Sequence, residues 1–189
     1  SSPPSTPQID YLPLTNNSFY NEDLGCYNLS QLDETLIWNT SNYVFVICDG
    51  SYIRPDIGII FENVHNVTIT STSMPSDVIG PDGRVMIRNG RVFGDSHNIA
   101  LLFKNAYNIK IMNIDFQGFS KIIDTSYSSF ISVGSFEIPI YNDLDISHCG
   151  FYYSETALSL NQGWRARIEN SRFFKDDYAI YTKTPKLDV

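Results

Sequence analysis

Lysine and arginine are absent from the first 53 residues of this 189-residue chain, which hold six acids before the first base, Arg54. The remainder is near balance, with 15 acids against 13 bases, so the net charge of −8 belongs mainly to the N-terminal stretch. There is no basic stripe to displace counterions from a phosphate backbone, which excludes a nucleic-acid partner. Long apolar runs are also missing: none approaches the ~18 residues of a membrane-spanning helix. Cysteine is scarce, and three of them do not build a disulfide framework. No Cys-x-x-Cys pair offers the usual zinc spacing, no Gly-x-Ser-x-Gly offers a nucleophile, and no motif implies a cofactor. The chain opens Ser1-Ser2-Pro3-Pro4, as a mature or trimmed product would.

What is present is a repeat. Ile168-Glu169-Asn170-Ser171-Arg172-Phe173 has the form apolar-x-polar-x-x-apolar. The form recurs from Ile146, Ile111 and Ile87, and more weakly from Ile69 and Ile47, with starts 22, 35, 24, 18 and 22 residues apart. A small residue opening an apolar run stands 11 residues before the Ile: Gly58, Ala100 and Ala157 precede Ile69, Ile111 and Ile168. Period-2 alternation then puts Phe45/Ile47, Val67/Ile69, Val85/Ile87, Ile109/Ile111, Leu144/Ile146 and Ala166/Ile168 on one face. Asn113, His148 and Asn170 follow two positions on, and such residues tolerate the left-handed backbone of a one-residue bend. Beyond the bend, Ile114/Phe116, Cys149/Phe151 and Ser171/Phe173 face inward again, followed by Ile59/Phe61, Leu101/Phe103 and Leu158/Leu160. Three short strands per coil of about 22 residues predict an all-β solenoid.

The segments "NVTIT", "NIKIMNIDF" and "RARIENSRF" resemble the right-handed parallel β-helix of the pectin-lyase-like superfamily, over Val44 to the C-terminus. The resemblance implies about six coils and a short N-terminal capping helix, with Ser30 as its N-cap and Asp33 in its first turn. It fixes no activity, because that superfamily holds lyases, hydrolases, epimerases and non-catalytic surface proteins.

The expected organisation is a proline-bearing arm over 1–20, a cap over 21–43 and coils over 44–189, with a loop insertion at 126–139. Ala179 opens a further coil whose next Ile position would be residue 190. Either the chain is trimmed there, or its open end meets a neighbouring copy, reached by the arm.

Two surfaces could carry chemistry. Glu155 and Asp177 each lie seven residues past a bend residue, His148 and Asn170, which puts them on adjacent coils at one corner beside Asp176. Paired carboxylates suit acid/base cleavage of a glycosidic bond, or Ca²⁺, or simply a solvated turn. "FFKDDYAIYTK" is similar to the paired-Asp segment of polygalacturonases, although the preceding coil reads Tyr153-Ser154-Glu155 in place of that family's Asn-x-Asp. The second surface is aromatic: Tyr152 and Phe174 point outward on adjacent coils, with Tyr107, Trp164, Tyr178 and Tyr181 adding to it. Such a strip stacks on sugars, docks a protein, or is covered by the insertion.

Cys149 reads as a core residue, whereas a Cys26–Cys48 disulfide would tie the cap to the first coil and suit an oxidising exterior. The sequons at Asn16, Asn28, Asn39 and Asn66 permit glycosylation. The favoured reading is a non-catalytic structural or adhesive protein of the extracellular space, a cell surface or a virion surface, forming filaments by self-association. The alternative is a polysaccharide hydrolase or lyase using Glu155, Asp176 and Asp177.

Overall fold

The computed structural model describes residues 19–72, 76–79, 83, 85–127, 130–133, 135–139, 142–161 and 163–183. Asn16 and nearly all of the expected arm lie outside the described residues. The described chain is all-β and returns repeatedly to three ladders of parallel strands.

In the first ladder Phe45, Ile69, Ile111, Ile146 and Ile168 are register partners in turn. In the second the partners are Leu36, Ile59, Leu101, Ile123, Leu158 and Ile180. In the third they are Ser51, Val92, Phe116, Phe151 and Phe173. The inward residues of all three ladders meet in one apolar core. Rings stack along it: Tyr27 on Phe45 at 4.4 Å, Phe61 on Phe103 at 5.3 Å, and Phe151 on Phe173 at 5.0 Å. Each fully buried Ile or Phe contributes roughly 1.5–3 kcal/mol of apolar transfer. That contribution selects a winding in which every third short strand comes back to the same column.

The bends carry backbone that L-residues avoid. Asn113, His148 and Asn170 have φ of +59°, +53° and +49°, as their bend positions require. The long strands Ile59–Ser71 and Ile99–Met112 each serve two ladders and turn the corner between them at Asn63/Asn66 and Asn105/Asn108, again at positive φ. These side chains bond to one another across strands: Asn105 to Asn63 at 2.6 Å, Asn66 to Asn42 at 2.9 Å, and Asn108 to Asn66. An amide that both donates and accepts can continue such a chain indefinitely, and it satisfies polar groups that the corner would otherwise leave to solvent.

Four expectations need correction. No α-helix caps the N-terminus among the described residues. Leu29–Gln31 form a single 3₁₀ turn, and Leu36–Trp38 is already a strand. The cap residue is Asn28, whose side chain accepts from the Ser30 N–H; the Ser30 hydroxyl instead accepts from the Tyr52 N–H at 2.7 Å. The first-ladder partner of Ile69 is Phe45, not Ile47, which pairs with Ser71. A two-residue slip keeps every side chain on its own face, so alternation alone cannot detect it. The copy at Val85/Ile87 is not a coil, because Val85–Arg88 pairs antiparallel with Ser76–Ile79 and Ile69 pairs directly with Ile111. The stretch read as an insertion at 126–139 also contains an antiparallel hairpin, Phe130–Val133 with Phe136–Pro139.

Candidate functional site

The acidic corner forms where the third ladder hands over to the second. The Asp177 N–H bonds to the Ser154 carbonyl at 3.0 Å and the Tyr178 N–H to the Glu155 carbonyl at 2.8 Å, so Glu155 and Asp177 stand in step in neighbouring turns, just before the strands Thr156–Asn161 and Tyr178–Lys183. Both are exposed. Asp176 does not join them. Its Oδ1 accepts from the Ser154 N–H at 3.0 Å and from the Ser154 hydroxyl at 2.5 Å, so it fastens one turn to the next. Glu155 meets the Ser120 hydroxyl at 3.4 Å. Among the described residues, no three His, Cys, Asp or Glu side chains converge as a metal site would require.

The outward face of the third ladder has two rows, because successive residues of a strand alternate. One row reads Tyr52, Phe93, Gln117, Tyr152, Phe174 in direct register. Neighbouring members are ~4.8 Å apart. Tyr152 and Phe174 therefore lie side by side, their rings 6.4 Å apart. Cations attend these rings: Arg91 sits 5.7 Å from the Phe93 centroid, and Lys175 lies 5.5 Å from Phe174 and 5.6 Å from Tyr153. Tyr178 and Tyr181 are exposed on the second ladder, and Tyr107 stacks on His65 at 5.1 Å. Trp164 is not part of any exposed strip. It is 7% exposed and turns inward toward Phe103, because it shares its parity with Ala166 and Ile168.

The second row reads Arg91, Asp115, Gly150, Arg172. Gly150 leaves a notch in it: a Cβ there would lie 2.4 Å from Asp115 Oδ1 and 2.3 Å from the Tyr152 ring. Tyr152 folds into that notch beside Asp115, with the Arg172 charge nearby. On the far side, buried Asn89 donates from Nδ2 to Asp115 Oδ1 at 3.0 Å and to the His148 carbonyl at 2.7 Å. Burial raises the Asp115 carboxyl above its ordinary range, against the opposing pull of the Asn89 bond and of Arg172 and Arg91. Burial also raises the Tyr152 phenol, and the Asp115 charge adds to the effect. The sequence reading missed this group, although its aligned copies already place Arg91, Asp115, Gly150 and Arg172 at one position.

A disulfide joins Cys26 to Cys48, with Cα atoms 5.1 Å apart. Cys149 is buried in the core, and burial pushes its thiol up to about 12. Of the sequons, Asn66 is exposed but donates its amide to Asn42, and Asn28 is occupied as the cap of the 3₁₀ turn. Comparison with protein-family models, with curated proteins and with solved structures gave no match.

Proposed function

We propose that the chain is a non-catalytic right-handed parallel β-helix of about six coils, of the pectin-lyase-like kind. It works outside the cell, on a cell or virion surface, as an adhesive and structural protein. Its third-ladder face holds sugar chains, and its exposed second-ladder residues Tyr178, Ile180 and Tyr181 meet neighbouring copies. The observation that carries this reading is the in-register row Tyr52, Phe93, Gln117, Tyr152, Phe174, aromatic at four of its five positions, on the outward face of the third ladder. Sugar rings present apolar C–H faces that stack on aromatic rings, and a chain laid along the ladder meets a ring on four of its five strands, Gln117 standing on the third. The hydrolase alternative is weaker because Asp176 is already engaged by Ser154, which leaves Glu155 and Asp177 on an exposed corner.

Affinity electrophoresis against a panel of neutral and charged polysaccharides tests the reading. Retardation is expected with at least one polymer, reduced about tenfold in affinity by Phe174→Ala, with no new reducing ends or unsaturated products. Cleavage that disappears in Asp177→Asn would replace the adhesive reading with the enzymatic one. Sedimentation against dilution tests self-association, and a mass measurement on secreted material tests glycosylation at Asn28, Asn39 and Asn66.

A further inference from the structure

The sequon asparagines among the described residues differ in what their side chains already do. Asn66 donates to Asn42 and accepts from Asn108, so a sugar on its nitrogen would compete with the corner ladder. Asn28 is half-buried and caps the 3₁₀ turn that opens with fully buried Leu29. Asn39 is exposed, and its amide is engaged by none of the described residues. The turn that carries it is nonetheless held: the Trp38 Nε1–H donates to the Thr40 carbonyl at 3.0 Å, and the Ser41 hydroxyl accepts from the His65 N–H at 3.0 Å.

Asn39 also stands where the solenoid is least protected. It directly follows Leu36–Trp38, an edge strand that pairs only with Ile59–Ser71 among the described residues. Ile37 on this strand is 53% exposed, and Val44 on the next strand is 56% exposed. Ile37 registers with Ile60, which lines a shallow groove of about 220 Å³ with Thr35, Ile57, Gly58 and Leu102. An apolar edge with free backbone groups is a template for pairing with another chain. Lysine, the usual guard of such an edge, is absent from the first 53 residues.

We propose that Asn39 carries an N-linked glycan, that Asn28 and Asn66 do not, and that this glycan covers the Ile37 edge of the first coil. The inference rests on the extracellular part of the reading above. The donor is an oligosaccharide on a lipid diphosphate. Its anomeric carbon bonds to Asn39 Nδ2, its bond to the diphosphate oxygen breaks, and the amide gives up one proton. The product is a bulky, hydrated group immediately past Trp38, where it blocks a second backbone from lying along Leu36–Trp38. Apolar C–H faces of its sugars rest on Ile37 and the groove beside it. Copies then meet through the Tyr178 and Tyr181 side and not through the first coil.

The test expresses the full chain behind a secretion leader in a eukaryotic cell, which exposes its sequons to the transferase whatever the native compartment. Release by N-glycosidase in heavy-oxygen water converts each occupied Asn to labelled Asp, and peptide masses read the sites. Label is expected at Asn39 and not at Asn28 or Asn66. An unlabelled Asn39, or label at Asn28 or Asn66 in folded protein, would overturn the assignment. Asn39 labelled behind the leader but bare in protein from its natural source would instead sink the extracellular reading, and the native glycan with it. For the covering role, Asn39→Gln should self-associate at about tenfold lower concentration in sedimentation, and adding Ile37→Lys should restore the wild-type range. Unchanged association in Asn39→Gln overturns that role. If this variant is retained in the cell, trimming the glycan from folded wild-type protein with an endoglycosidase decides on the same readout.

Discussion

Asn66 and Asn42, the residue just before the strand Tyr43–Ile47, share a hydrogen bond of 2.9 Å, while Asn66 also accepts from Asn108. Asn66 is thus the middle rung of a side-chain ladder, held at a φ of +54°. Asn66→Ala removes two bonds and places a Cβ-bearing residue with no local compensation in the left-handed region. We expect a loss of roughly 2 kcal/mol in urea unfolding. Asn66→Gly, which relieves the backbone but not the bonds, should cost about half of that. Equal costs would show that the left-handed backbone adds nothing beyond the lost bonds, and a cost-free Asn66→Gly would show that the ladder adds nothing.

The Cys26–Cys48 bond closes a 22-residue interval. In the chain-entropy account such a closure stabilises by about 3 kcal/mol. Replacing both cysteines with serine should lower stability by that order and should loosen the pairing of Tyr27 with Ile47 first. Hydrogen exchange at residues 26–32 reads this directly. Unchanged protection there would mean that the aromatic packing around Tyr27 suffices.

Asp176 is expected to matter for stability and not for cleavage. Asp176→Ala leaves the Ser154 N–H and hydroxyl without their acceptor in a buried setting, at a cost of about 2–3 kcal/mol. Asp176→Asn retains an acceptor and should cost less. A stability-neutral Asp176→Ala would contradict the clamp.

Cys149 makes the fold sensitive to alkali. Its thiol titrates near 9 in the unfolded chain and at about 12 when buried. Below 9 both states hold the proton and the group contributes no slope. Between 9 and 12 only the unfolded state releases it, so stability falls as pH rises, by about 1.4 kcal/mol per unit. Cys149→Ala should remove the Cys149 part of that slope in urea unfolding at several pH values, leaving the part that the raised Tyr152 phenol adds above 10. In the native protein, thiol reagents should leave Cys149 unmodified at neutral pH.

Much of this architecture is legible in the residues, for reasons of geometry. Strand alternation has only two phases, so inward positions such as Ile111, Ile146 and Ile168 announce themselves, as do the bends at Asn113, His148 and Asn170. What alternation does not carry is register in steps of two, and hence the exchange of Ile47 for Phe45. Nor does it distinguish a coil strand from a hairpin strand: Val85–Arg88 alternates as well as any coil, and only its partner reveals it. Trp164 could have been placed correctly, since it lies two residues before Ala166 and must share its face. Asp115 was harder. Its composition is ordinary, and its environment arises from a missing Cβ on Gly150 and a ring from Tyr152, both 35 or more residues away along the chain.

The direct pairing of Ile69 with Ile111 has a practical side. Forty-two residues separate these neighbours, yet their rung matches those joined by far less chain. Pitch is therefore set by contact between neighbours and is indifferent to how much polypeptide loops out between them. The hairpin spanning Ser76–Ile79 and Val85–Arg88 is a natural graft point: a foreign epitope or fluorescent reporter spliced there would ride on the outside of a scaffold whose interior dimensions stay the same.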